Sequence, residues 1–386
     1  MMRRLLVVLL IGVAGGAVPC DAFAQVRLLG ATGLGRRLTP LDARARAMGN
    51  AGVTLHGGNL SAVNPAATAR FAAPGIWASF LPETRTVKGE FANGDISTED
   101  VPIIRLVTPW GGRWAVGISA GAYLNENWGV QFVDSLTTSE GDVAFQETRT
   151  SDGGVTQFRL DFAGVMAQRL SLGASLLYYS GEARRRVKRI FESSVGWAPH
   201  EATTAIDYKG WGLAFGAEYQ PIPEMIVGAV ASWGAGLTIE NDTTGQSLDI
   251  DLPLTFDLGG SWQLTPDFTV ALAMGWEGWG AVADKLPNAS ASDLWRGGLG
   301  IELTALGGEA SKLLLRGGAH TERLPFDIGA GAVWERALSL GLGLWLREGR
   351  ARLDGSVEFG KRGNAQKNDI EESYTRYSFG LAVFTR

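Results

Sequence analysis

Beyond residue 74, apolar and polar positions alternate with a period of two. In residues 254–262 one face carries Leu254, Phe256, Leu258, Gly260 and Trp262, and the other Thr255, Asp257, Gly259 and Ser261. Residues 338–346 place Leu at every second position, and residues 351–359 alternate Ala, Leu, Gly, Val, Phe with Arg, Asp, Ser, Glu. The last segment sets Tyr377, Phe379, Leu381 and Val383 against Ser378, Gly380 and Ala382. Period two marks a strand whose two faces meet different surroundings. Fourteen such segments are expected, at 74–86, 100–109, 112–124, 154–167, 169–183, 203–219, 224–239, 252–264, 267–280, 293–304, 311–321, 336–347, 350–361 and 373–385.

A soluble β-sandwich alternates as well, so two further features are needed. Most of the segments reach about ten residues or more, longer than the ~5–6 usual in soluble sheets. The connections also alternate in length. The long ones fall at 87–99, 125–153, 184–202, 240–251, 281–292, 322–335 and 362–372. The short ones include Trp110-Gly111, Gln168, Thr265-Pro266 and Glu348-Gly349. Residues 328–334 have strand character, but an even strand count assigns them to a loop. Lipid offers no partner to backbone N–H and C=O groups, so a sheet that crosses it closes on itself. The expected fold class is therefore all-β, a transmembrane antiparallel β-barrel of about 14 strands, apolar side to lipid and small or polar side to the lumen. Trp114, Trp211, Trp262, Trp276, Trp279 and Tyr377 suit interfacial girdles.

The chain begins differently. Arg3 and Arg4 precede the apolar run 5–18, and Ala22-Phe23-Ala24 is a small-x-small cleavage site, so residues 1–24 are expected to be a signal peptide. Lipidation at Cys20 is the alternative, with Pro19 an unfavourable neighbour. Residues 25–73 are rich in Gly, Ala and Asn and show no alternation. An expected fourteen-stranded lumen at 74–386 is too wide for side chains to fill. Residues 25–73 are thus expected to fold into it as a hatch (plug), the alternative being a flexible periplasmic tail. The stretch 42–49 suits one or two helical turns. Asn64-Pro65-Ala66 should fix a turn, since Pro sets its own φ and biases Asn64 to extended geometry.

The blocks Gly33-Leu34-Gly35, Ala47-Met48-Gly49-Asn50-Ala51-Gly52 and Asn64-Pro65-Ala66 resemble the hatch of the FadL-type outer-membrane transporter family. A second block, from Leu252-Pro253 through Trp262, Thr265-Pro266-Asp267, Trp276 and Trp279 to Asp284-Lys285-Leu286, resembles the same family. That resemblance implies passive uptake of hydrophobic, fatty-acid-like small molecules into the bacterial envelope. It implies a plugging or gating role for Gly33, Gly35, Gly49, Gly52, Asn64, Pro65 and Ala66. It also implies a sideways exit into the membrane at a kink in the third strand, where Gly117 and Gly121 stand after Pro109. The same hatch wording occurs in a sister group that shuttles proteins in type IX secretion. A hatch-bearing secretion partner or a structural outer-membrane protein is therefore the alternative function.

Composition narrows the rest. Charged residues make up 19% of 386, net charge is −5, and no basic stripe suggests nucleic acid. His56, His200 and His320 lie far apart, and no nucleophile motif flanks them, so neither a metal, a cofactor nor catalysis is expected. The cluster Arg184, Arg185, Arg186, Lys188, Arg189 is expected to meet lipopolysaccharide phosphates. The expected partners are hydrophobic small molecules and outer-membrane lipids, around a monomeric barrel.

Overall fold

The computed structural model describes residues 35–385 except 90–91, 140, 193–195, 286–290, 309–310, 326, 328–330 and 347–348. The expected signal peptide and Gly33 lie outside the described residues. Fourteen long strands form the wall: β1 Gly75–Gly89, β2 Ala92–Trp110, β3 Trp114–Asn125, β4 Gly141–Ala167, β5 Leu170–Phe191, β6 His200–Ile222 and β7 Met225–Asn241, then β8 Thr255–Thr265, β9 Phe268–Glu277, β10 Leu294–Gly307, β11 Lys312–Arg323, β12 Trp334–Leu346, β13 Ala351–Asn364 and β14 Ile370–Phe384. Each pairs antiparallel with the next, and β14 pairs with β1 from Ile370↔Gly89 to Phe384↔Gly75, so the sheet closes on itself.

The alternation decides which side chains face out. Leu338, Leu340 and Leu342 are exposed on β12, while Ala337 and Ser339 on its other face are buried. On β14, Phe379 and Leu381 are exposed and Ser378 and Ala382 are buried. An apolar exterior around a polar interior inverts a soluble fold and suits hydrocarbon surroundings. Among the described residues no helix is long and apolar enough to cross a membrane. Trp211, Trp262 and Tyr377 do stand exposed on this outer face. Trp279 does not: it is buried and donates from Nε1 to Glu277 at 2.9 Å, so it belongs to the interior and not to a girdle.

Several expected loops are ordered sheet. β4, β5 and β6 have 27, 22 and 23 residues, about twice the ~9–11 that cross a bilayer. The expected loop 125–153 contains a strand, Trp128–Thr138, folded back on β4. The expected loop 240–251 contains Gln246–Ile250, folded back on β7. Short polar alternation hid these hairpins, because strands beyond the lipid need no apolar face. The N-terminal segment also holds one short strand, Arg36–Arg37, where none was expected.

Candidate functional site

Residues 38–70 pack against the inward faces of strands all around the wall. Leu38, Leu41 to Gly49 and Ala51 to Leu55 are buried, as are 59–68. Helix α1, Ala43–Ala47, starts at Asp42, whose side chain accepts from Ala45 N at 3.2 Å and from Ser61 Oγ at 2.8 Å. Asp42 also takes the guanidinium of Arg352 on β13 at 2.8 Å. Arg44 forks onto Glu302 of β10 at 2.8 and 2.6 Å and donates to the carbonyls of His56 and Gly58. Burial, reinforced by the Arg44 and Arg70 charges, lowers the pKa of His56.

Of the residues singled out in the sequence, Gly49 has φ +64°, and its backbone lies against Gly298 and Gly318 of the wall. A Cβ at Gly49 would overlap the carbonyl oxygens of Leu299 and Ala319, so this approach needs hydrogen there. Gly52 packs beneath Leu41, and Gly35, with φ +86°, sits against Asn125 of β3. Asn64 is extended, its Oδ1 accepts from Ala66 N at 3.0 Å, and Pro65 opens the helical turn Pro65–Arg70. That turn fits Gly173 and Gly216 on β5 and β6, where a side chain would strike Pro65 or Asn64. Gly117 pairs with Val107 in regular ladder.

Gly121 stands elsewhere in the ladder. β2 and β3 pair only from Trp110↔Trp114 up to Ile104↔Ala120. Above that, β2 continues on β1 alone, and β3 shifts register against β4 between Ala122 and Leu124. A Cβ at Gly121 would overlap the Pro102 carbonyl. The wall is thus unpaired between β2 and β3 on the long-hairpin side. Arg36 and Arg37 occupy the vacated ladder positions opposite Asn125 and Leu124. Asn125 Nδ2 reaches Asp100 Oδ1 across the break at 2.6 Å, and Arg36 reaches Asp100 at 3.3 Å.

Between the N-terminal segment and the long hairpins the interior has two unlike halves. The half beside the break is apolar and aromatic: Tyr123, Leu177, Tyr179, Tyr208, Leu237 and Trp279 form one buried cluster, with Tyr123 and Tyr179 rings 4.7 Å apart. The half on β1 and β11–β14 is charged. Arg362 binds Glu83 at 3.0 Å and Glu335 at 2.5 Å, and Arg376 binds Glu83 at 2.8 Å and Glu358 at 2.6 Å. His320 lies between Glu335 and Glu358, and their ligand atoms fall within 4.8 Å of one another. Arg362, Arg376 and the Tyr374 hydroxyl already hold these carboxylates, which makes ion pairing the simpler account than a metal. Glu83, Glu335, Arg362 and Arg376 belong to no motif in the sequence. The available signal was a charge on the small-residue face of an alternating strand, as at Arg352 and Asp354.

A family model described as BamG matches residues 237–386. No curated protein matches the chain. Among solved structures, the Pseudomonas putida toluene transporter TodX superposes with a TM-score of 0.60 at 14% identity, covering 90% of this chain and 99% of its own. The Ralstonia pickettii toluene transporter TbuX gives 0.59 at 16%, with 90% and 99% covered. The CymD monoaromatic hydrocarbon channel gives 0.58 at 18%, with 91% and 98% covered. The chain therefore has the fold of the FadL-type hydrocarbon-channel barrels.

Proposed function

We propose that the protein is an outer-membrane channel for passive uptake of hydrophobic, fatty-acid-like small molecules, with residues 35–73 as its hatch. The carrying observation is the juxtaposition of the β2–β3 break with the apolar half of the interior, at Tyr123 and Leu124 of β3. An apolar solute entering among the long hairpins meets this lining and leaves sideways into the bilayer without crossing the hatch. Exit at the hydrocarbon level keeps it out of water throughout, which is where its free energy is lowest. In this reading the short turns and both termini face the periplasm and the long hairpins face outward. The solved barrels named as toluene transporters and as a monoaromatic hydrocarbon channel support it by fold.

A second reading has its own observation. The charged half of the interior is filled by paired side chains, and the BamG model matches the C-terminal strands. Both suit a hatch-bearing barrel that serves as a partner in protein secretion or as a structural outer-membrane protein. Initial rates of labelled fatty acid and toluene uptake, measured in cells with and without the barrel, decide between them. Channel activity predicts faster uptake with the barrel; equal rates would transfer the assignment to the second reading.

A further inference from the structure

On the outer face, Thr321, Arg336, Lys361 and Ser373 stand directly opposite one another across β11 to β14. Arg336 and Lys361 are both exposed, so two like charges face each other on neighbouring strands. That placement destabilises a sheet unless an anion lies between. Glu371 takes Lys361 at 3.1 Å, and Arg336 has no carboxylate partner among the described residues. Lys367, exposed in the β13–β14 connection, adds a third cation to this end. The next row toward the short turns is apolar: Leu299, Ala319, Leu338 and Phe359 again stand opposite one another. Leu338 is 67% and Phe359 54% exposed. Gly297 and Ala319 are small, and together the two rows border an open groove of about 1670 Å³.

We propose that this groove binds a phosphorylated lipid of the outer leaflet. Its phosphate sits between Arg336 and Lys361, with the Ser373 hydroxyl as a further donor, and its acyl chains lie along Leu338 and Phe359. A guanidinium and an ammonium beside a hydroxyl donor match the charge and acceptors of a phosphate. Cations directly above an apolar belt match the depth of a headgroup over its chains. The inference rests on the outer-membrane orientation proposed above and is independent of whether the lumen carries a solute.

The test is native mass spectrometry of the full barrel in detergent with added diphosphoryl lipid A. The protein should retain one lipid, and Arg336→Gln with Lys361→Gln should weaken retention about tenfold or more. Lys312→Gln, at the opposite end of β11, should retain it unchanged, and heat-dependent gel migration confirms that each variant is folded. Equal retention by the double variant, or equal binding of lipid A stripped of its phosphates, overturns the proposal. So does full displacement of the lipid by inorganic phosphate alone, which would make this a free-anion site. A Gln366→Cys variant labelled from outside intact cells checks the orientation separately; absence of labelling overturns the placement on which the site depends, whatever the uptake result.

Discussion

Arg105 on β2 and Asp161 on β4 form a 2.7 Å ion pair with neither side chain exposed, although β3 lies between their strands. The same guanidinium donates to the Ser61 carbonyl at 2.7 Å and to the Thr68 hydroxyl at 2.5 Å. One side chain therefore joins two wall strands and the C-terminal part of the inner segment. Arg105→Met leaves Asp161 with Arg159 at 3.5 Å and the Ser175 hydroxyl. Removing one member of a buried pair costs about 3–5 kcal/mol, and these remaining partners place the loss near the lower end. Denaturant unfolding in lipid vesicles measures it, and adding Asp161→Leu should recover part of the loss. A single variant as stable as the parent contradicts this role.

Close packing of the N-terminal segment against the wall gives a second prediction. Gly300 on β10 lies against the backbone of Met48, where an added Cβ overlaps atoms that cannot rotate away. Gly355 on β13 has nothing within 4 Å of that position. Gly300→Ala should cost about 1–3 kcal/mol as overpacking. Gly355→Ala should stay within about 0.5 kcal/mol. Comparing the two unfolding midpoints tests whether the contact with Met48, and not strand glycine in general, sets the cost.

The β2–β3 break gives a third. Asp100 and Asn125 meet across it at 2.6 Å. Cysteines placed at both positions and joined by a short reducible cross-linker should hold the opening shut. Uptake of fatty acid should fall to the background of cells without the barrel and return on reduction. Unchanged uptake in the cross-linked protein would exclude this exit.

The apolar half of the interior supplies a fourth. Trp279 is buried in the aromatic cluster and anchored by its bond to Glu277. Trp279→Ala should cost about 3–5 kcal/mol in stability, as large-to-small core changes do. It should also open an apolar cavity within that cluster that binds a small aromatic solute more tightly, read by calorimetry with toluene. Weaker toluene binding in a folded variant would show that Trp279 itself is the contact.

Strand number, the inside-out alternation and the turn at Asn64-Pro65 were legible in the amino-acid order, because each depends on neighbours within about ten residues. Leu338 and Ser339 differ in polarity, and a two-residue period is enough to send them to opposite faces. Other features needed the folded chain. The pairing of Arg36–Arg37 with β3 joins residues far apart in sequence, as does Arg352 to Asp42. Trp279 reads as an interfacial residue by type, yet the short helical turn 279–285 carries it inward. Gly121 looks like many other glycines until the ladder ends beside it, because a missing hydrogen bond is a property of two strands and neither sequence contains it. Local periodicity settled the wall; only closure of the sheet decided which charges meet inside it and where the β2–β3 ladder ends.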